Sequence, residues 1–447
     1  MNKNKGLMTE GVIWKKLLIF SVPLLLGNLF QQLYNTADSI VVGNAIGNDA
    51  LAAVGSSGPI VNLLVSFFMG LAVGGSVIIS QYFGANDKEN LSKAVHTSIA
   101  IALIGGVVMT FVGVLATPTI LNLMGTPSDV MSDAVIYLQI YFAGILGLMI
   151  YNMGSGILRA VGDSKNPLYF LILSSCINIV LDILFVVYFH MGIAGAAWAT
   201  TISQCTSAIL VILLLRRSKA GYHLEFTKIK IDRECLNRIV RIGLPSAFQN
   251  AVVSFSNVIV QTNINSFGKL AMAGCSSYTK IDGFAILPVM SFSMAMTTFT
   301  GQNIGAKRYD RAKEGAKVGM LMSLFVTVII SCLLWLLAPQ LIGIFNSNET
   351  VIYYGTYMMR SVVPGYIFLS ISHALSGVLR GAGKTFVPMV VMILSWCLLR
   401  MVWIYLMMPI FNDIYVVFSG YLITWFTSAM ILLWYYRKGN WLKNEFD

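Results

Sequence analysis

The sequence predicts an all-α polytopic membrane protein that crosses the bilayer twelve times as two parallel six-helix repeats. Three observations carry this expectation. Of the 447 residues, 57% are hydrophobic and 11% charged, with a mean hydropathy of +0.75, whereas a soluble domain carries about 25% charged residues. Leu158-Arg159-Ala160-Val161-Gly162 returns 221 residues later as Leu379-Arg380-Gly381-Ala382-Gly383, and each copy is followed by a proline, Pro167 and Pro388. The same offset pairs Gln81 with Gln302, Pro118 with Pro339 and Gly144 with Gly365, and one residue more pairs Pro23 with Pro245 and Asn35 with Asn257. An offset this constant over nearly the whole chain marks a duplication, and two similar halves in a membrane protein usually enclose one site between them.

The expected spans follow in order. Apolar runs cover 17–42, 60–79, 97–116, 134–158, 168–189 and 193–215 in the first half, and 239–264, 271–299, 318–338, 353–379, 386–408 and 414–436 in the second. Most reach the roughly 20 residues that a helix needs to cross the hydrocarbon. Six spans per half is an even number, so both halves enter the membrane in the same direction, related by an axis along its normal. Residues 1–215 form the expected N-lobe, the polar stretch 216–241 a cytoplasmic linker, and 242–447 the C-lobe. The run 17–42 is too long for a cleavable signal and lacks a small-residue cleavage pattern close behind.

The net charge of +11 is placed by topology. With the N-terminus in the cytoplasm, all of the 30 Lys and Arg except Lys269, Lys280, Arg360 and Arg400 fall on cytoplasmic segments. That is the positive-inside pattern, so a multi-pass plasma-membrane protein with both termini cytoplasmic is expected, and no nucleic-acid partner. The stretch from Gly377 to Gly383-Lys384-Thr385 imitates a phosphate-binding loop, but five residues separate its glycines where the motif needs four, and an apolar helix precedes it instead of a strand. No cofactor and no ATPase subunit are expected, and the chain does not read as an enzyme; its work must draw on an ion gradient. The four His are isolated and the six Cys show no C-x-x-C spacing, so neither a metal cluster nor a disulfide is expected.

An ionisable side chain at membrane depth is costly, so each one calls for a reason. The first helix carries Asn28, Gln31, Asn35 and Asp38 within an arc of about 80°, beside Tyr34, and the seventh repeats the stripe with Asn250, Ser254, Asn257 and Gln261 but no acid. A second acid, Asp182, lies on the fifth helix one turn beyond Asn178, so the two share a face. Counting from the outer helix ends places Asp38 and Asp182 at depths within roughly 3–5 Å of each other. Two carboxylates in low dielectric suit a proton or Na⁺ site, and Thr200, Thr201 and Gln204 on the sixth helix could add neutral oxygens. The bland alternative is that the acids only bond helices together. In the second half, Lys280 and Asp282 are two residues apart, about 200° around a helix, and point away from each other. With Arg400 they either brace the second lobe as a network or contact substrate.

This layout resembles the multidrug and toxic compound extrusion (MATE) transporters of the MOP superfamily, over about residues 14–436. The resemblance rests on Pro23, Asn35-Thr36-Ala37-Asp38, Ser80-Gln81-Tyr82-Phe83-Gly84-Ala85, Leu158-Arg159-Ala160-Val161-Gly162-Asp163, Asn178-Ile179-Val180-Leu181-Asp182 and Gly195-Ala196-Ala197-Trp198-Ala199-Thr200. It implies two bundles in a V-shaped arrangement that open alternately to either side, and an exporter of amphipathic, often cationic, drugs or toxic metabolites in exchange for H⁺ or Na⁺. It implies that Asp38, Asn178, Asp182 and Thr200 bind the coupling H⁺ or Na⁺, the set selected above by depth. Candidates for the substrate cavity are Gln31, Tyr34, Asn35, Tyr137, Asn250, Asn257, Lys280, Asp282 and Arg400. Another branch of the family uses acids on the seventh and tenth helices, where this chain has Asn250, Asn257 and His373. The expected partners are small-molecule substrates and the lipid bilayer, with the protein a monomer. A lipid-linked saccharide flippase is the runner-up; it would carry a basic cavity for phosphate, where this chain has acids in one half. A scaffold or receptor would need no acids beside a polar stripe. Gly84-Ala85-Asn86-Asp87 stands where a major-facilitator transporter carries a basic-acidic loop signature.

Overall fold

A computed structural model describes residues 7–45, 48–218 and 221–442, apart from the side chains of 35, 37–60, 62, 63 and 255. The described residues are almost entirely helical, with no strand among them. The first half contains α1 (Ile13–Ala45), α2 (Asn48–Gly84), α3 (Lys88–Leu123), α4 (Ser128–Ala143), α5 (Ile145–Ala160), α6 (Lys165–Asp182) and α7 (Gly192–Arg217). The second contains α8 (Arg233–Asn265), α9 (Lys269–Ala285), α10 (Leu287–Gly305), α11 (Tyr309–Leu336), the short α12 (Ala338–Gly343), α13 (Glu349–Val362), α14 (Tyr366–Gly381), α15 (Phe386–Met392), α16 (Arg400–Phe411) and α17 (Tyr415–Lys438). Two stretches of π-helix, Ile183–Tyr188 after α6 and Ile393–Leu399 between α15 and α16, lie within spans.

Among the described residues, eleven segments are long and apolar enough to span a membrane when the pair α4 and α5, bent by 47°, counts as one. The remaining expected span corresponds to α8, a helix of 33 residues that is long enough but too polar, because Gln249, Asn250, Ser254, Asn257, Gln261 and Asn263 crowd it. The chain is a multi-pass membrane protein.

The described residues pack into two units, one comprising Leu7 with Leu26–Leu244 and the other Met8–Leu25 with residues 245–442. This departs from the expected split into 1–215, 216–241 and 242–447: the lead-in of α1 packs with the second unit, and the linker with the lead-in of α8 packs with the first. The reason lies in side chains far apart in sequence. In the second unit, Gln302 Oε1 accepts from the Met8 N–H at 2.8 Å, and Arg308 and Arg311 donate to the carbonyls of Thr9 and Gly11, each at 2.7 Å. Leu17, Phe20 and Leu24 are then buried with Ala295 and Phe299. In the first unit, Thr97 Oγ1 accepts from the Asp232 N–H at 3.0 Å, His96 Nε2 accepts from the Glu225 N–H at 3.1 Å, and Arg238 donates to the Tyr82 hydroxyl at 2.9 Å. Ile239 and Ile242 are buried with Val77, Ile78 and Leu158. The units change over at Leu25/Leu26 in α1 and at Leu244/Pro245 in α8, both beside the prolines that the repeat pairs, Pro23 and Pro245.

Close crossings between helices fix each unit internally. At Gly74 a Cβ would stand 2.3 Å from the Ile239 carbonyl oxygen and 2.7 Å from the Gly243 nitrogen, so α2 and the lead-in of α8 touch backbone to backbone. In lipid, where tails are as apolar as leucine, such small-residue contacts supply the packing that holds helices together.

Candidate functional site

In the first unit the fifth span brings Asn178 and Asp182 one turn apart on α6, and the sixth span presents Thr200 from α7 against them. Asn178 and Asp182 have no exposed surface, and Thr200 is 5% exposed. The Asn178 amide satisfies both neighbours in one orientation: its nitrogen donates to Asp182 Oδ2 at 2.8 Å and its oxygen accepts from the Thr200 N–H at 3.2 Å. The carboxylate is thus held in place by a neutral amide. Asp182 is also the last α-helical residue before the π-helical stretch, where Phe189 N–H reaches back five residues to the Leu184 carbonyl. Single π turns inside helices recur at functional sites, where they re-aim side chains. Thr201, a neighbouring candidate ligand, spends its hydroxyl on the Ile140 carbonyl at 3.3 Å.

The backbone of Asp38 and Asn35 is helical, within α1, but both side chains lie outside the described residues. Of the other candidates in this unit, Gln31 is exposed, Tyr34 is half-buried, and Tyr137 is buried in the core with Leu138 and Phe142.

The second unit carries its charges differently. Lys280 and Asp282 point apart, as their spacing implies. Lys280 is exposed and its Nζ lies over the Phe345 ring, 5.4 Å from the centroid. Asp282 turns inward and its Oδ1 accepts from the Tyr278 hydroxyl at 3.2 Å and from the Tyr366 hydroxyl, while the two hydroxyls are 3.1 Å apart. Arg400, 2% exposed, donates from Nη2 to Thr424 Oγ1 at 3.1 Å and from Nη1 to Asn257 Oδ1 at 3.5 Å, with its guanidinium 4.4 Å from the Tyr421 ring centroid. Lys280, Asp282 and Arg400 therefore do not form the single network that was one expectation for them. The salt bridges among the described residues, Lys93 with Glu89, Lys228 with Glu225 and Arg238 with Glu234, all lie elsewhere. Asn250, half-buried, and Asn257, exposed, stand on the same stripe of α8.

Sequence reasoning missed Tyr278, Tyr366, Tyr421 and Thr424. Tyr278 could have been found, being one helical turn before Asp282. Tyr421 and Thr424 sit one repeat offset from Thr200 and Ser203, so the duplication carried a signal for them. Tyr366 is 84 residues from Asp282 and no local pattern points to it.

The chain is similar to known proteins over almost its whole length. The MatE family profile matches residues 23–184 and again 245–406, one match per repeat. The chain is 31% identical to the probable multidrug resistance protein YoeA of Bacillus subtilis over 86% of this chain and 84% of that protein. It is 26% identical to the probable multidrug resistance protein NorM of Thermotoga maritima over 96% and 94% of the two chains. Among solved structures, a MATE in complex with MaL6 superposes with a TM-score of 0.92 at 24% identity, covering 98% of this chain and 99% of that one. An outward-facing multidrug resistance MATE family transporter of the MOP superfamily gives the same TM-score and identity over 99% of each chain. At these identities the two structures establish the shared fold.

Proposed function

This chain belongs to the MatE family, and we propose that it is a secondary active antiporter that exports amphipathic, often cationic, drugs or metabolites in exchange for H⁺ or Na⁺. The observation that carries the reading is the fully buried Asn178–Asp182–Thr200 cluster. Taking a carboxylate out of water costs several kcal/mol unless a cation accompanies it. A proton does so by neutralising it; Na⁺ does so through the carboxylate and hydroxyl oxygens of Asp182 and Thr200, joined by the Asn178 oxygen once that amide turns over, a donor set suited to a hard cation. Either ion is cargo here, taken up on one side of the membrane and released on the other. The names of the relatives, multidrug resistance and multidrug export proteins, support drugs as the exported class.

Coupling runs by exclusion. Asp182, with Asp38 on α1, is neutralised by H⁺ or Na⁺ arriving from outside; α1 then shifts about the Pro23 region and the drug loses its binding energy and leaves. When the cation departs to the cytoplasm, the negative site accepts drug again. A ligand shifts such an equilibrium only by its differential affinity for the two states, so the acid must hold its cation in one state and release it in the other. The charge distribution along the chain supports cytoplasmic termini; we further infer a monomer whose work is drawn from the gradient, without an ATPase subunit.

The test is efflux of a fluorescent lipophilic cation from proteoliposomes under a pH gradient alone and under a Na⁺ gradient alone. One of the two is expected to drive uphill transport in the wild type. Transport indifferent to both gradients would overturn the proposal.

A further inference from the structure

Arg400 is a buried charge whose surroundings do not neutralise it. Its guanidinium has five N–H donors in a fixed fork and does not give up its proton in a protein. Only two of its nitrogens find acceptors, Nη2 on Thr424 at 3.1 Å and Nη1 on Asn257 at the 3.5 Å limit, both neutral. Nε is buried and has no hydrogen-bond partner among the described residues. No carboxylate among the described residues lies within 4.0 Å of it, and the Tyr421 ring offers only a partial negative face. Asp282, a partly buried acid of the same unit, spends its Oδ1 on Tyr278 and Tyr366. The stem of Arg400 is buried, and a Cβ at Gly420 would stand in ordinary contact with it, 3.7 Å from Cγ, and 3.5 Å from Trp403. So the side chain is built into its position, not left loose.

The site is also reachable. Asn257, which touches the guanidinium, is exposed and stands on the polar stripe of α8 with Ser254, also exposed. Arg400 thus lies one side chain behind an open polar face, and the Asn257 amide adds N–H donors beside it. The repeat offsets make the position more telling. Asn257, Tyr421 and Thr424 are the counterparts of Asn35, Thr200 and Ser203. Where the first unit surrounds a buried carboxylate, the second surrounds a buried guanidinium, in each case just beside a π-helical stretch of the fifth span of its repeat.

We propose that Arg400, with Asn257, forms a binding site in the second unit for a small monovalent anion, a halide or a carboxylate group. The planar fork of Arg400 suits a carboxylate, and its Nε with an adjacent Nη suits a halide equally. A halide would come from the aqueous phase; a carboxylate would be part of a zwitterionic substrate. The site goes beyond the cation coupling proposed above and does not depend on it, because it can be read by binding alone.

Thermal unfolding of the purified, detergent-solubilised protein tests it at constant ionic strength, with isethionate as the bulky reference anion. One arm replaces isethionate by chloride, and the other adds benzoate. A ligand that binds only the folded state raises Tm in a saturable way. A saturable rise with chloride identifies the aqueous halide; a rise with benzoate alone identifies the carboxylate of a substrate. In Arg400→Gln the saturable response is expected to vanish, and the variant should fold, since it removes a buried charge and leaves none behind. Arg400→Lys keeps the charge but loses the fork, and is expected to raise the half-saturating concentration by about tenfold, the equivalent of one hydrogen bond. A wild type flat in both arms overturns the proposal, and so does a response undiminished in both variants.

Discussion

The first unit keeps its acid at zero exposure beside a neutral amide, while the second keeps an arginine at almost the corresponding register and moves its own acid, Asp282, to a pair of tyrosines. Both are built on the same repeat, with paired prolines at Pro23 and Pro245 and paired glutamines at Gln81 and Gln302. Duplication supplied the backbone twice, and divergence of a few side chains put a buried carboxylate without exposed surface in one half and a buried guanidinium in the other. The difference teaches that pseudo-symmetry in such a chain belongs to the scaffold, whereas ion chemistry belongs to the positions where the symmetry is broken.

The comparison is broken most severely by Asp182→Asn, which preserves shape and removes the ionisable group. Gradient-driven efflux is expected to fall to background with membrane expression unchanged, as is also expected for Asp38→Asn; normal drug resistance of cells carrying either variant would sink the assignment of coupling to the first unit. Next in size is the crossing of α2 with the lead-in of α8. Gly74→Val would drive side-chain atoms into the Ile239 carbonyl, which cannot turn aside, and is expected to cost about 3 kcal/mol or more, read as lost yield and a lowered Tm. The counterparts in the second unit are already Ser21 and Ala295, so Ala295→Gly should cost only about 1 kcal/mol. Equal losses at the two places would erase this distinction between the units.

Tyr366→Phe takes one hydroxyl from the Asp282 carboxylate and leaves the Tyr278 bond. The expected loss is about 1.5–3 kcal/mol, the range for a hydrogen bond to a charged group, measured as a shift in unfolding midpoint. No shift would mean that Asp282 is satisfied without it.

The smallest effect belongs to the docked linker. The Cys235 N–H donates to Asp232 at 2.9 Å at the start of α8 and holds the Asp232 carboxyl below the ordinary carboxylate range. The unfolded chain titrates this group near about 3.9. Its contribution is therefore complete above that pH and is lost as the pH falls through the lower folded value. Lying half-buried at the surface, the cap should contribute no more than about 1 kcal/mol. Asp232→Ala should lower Tm slightly at neutral pH, and the gap to the wild type should close as the pH falls through the lowered folded value; a gap that widens on acidification would reverse the assignment.

Much of this was legible in the chain itself. The offset of the repeat, the helical class and the shared face of Asn178 and Asp182 follow from spacing alone, and so does the divergence of Lys280 from Asp282, because a helix fixes directions locally. The exchange of lead-ins was not legible. It depends on bonds such as Met8 to Gln302 and Asp232 to Thr97, which join residues 294 and 135 positions apart, and periodicity says nothing about partners at that range. The seventh span illustrates a third case: α8 is so polar that hydropathy undervalues it, yet it forms a 33-residue helix because a helix bonds its own backbone whatever its side chains face. Tyr366 stayed hidden since an acid buried in a helix bundle can take its donors from any neighbouring span.

The most direct measurement is proton release from the purified protein on addition of tetraphenylphosphonium, a permanent lipophilic cation, in weakly buffered, sodium-free detergent solution. If drug and coupling ion exclude each other at the Asp182 carboxylate, the wild type releases protons in a saturable way and Asp182→Asn releases none while still binding the drug. Undiminished proton release from Asp182→Asn would contradict the account.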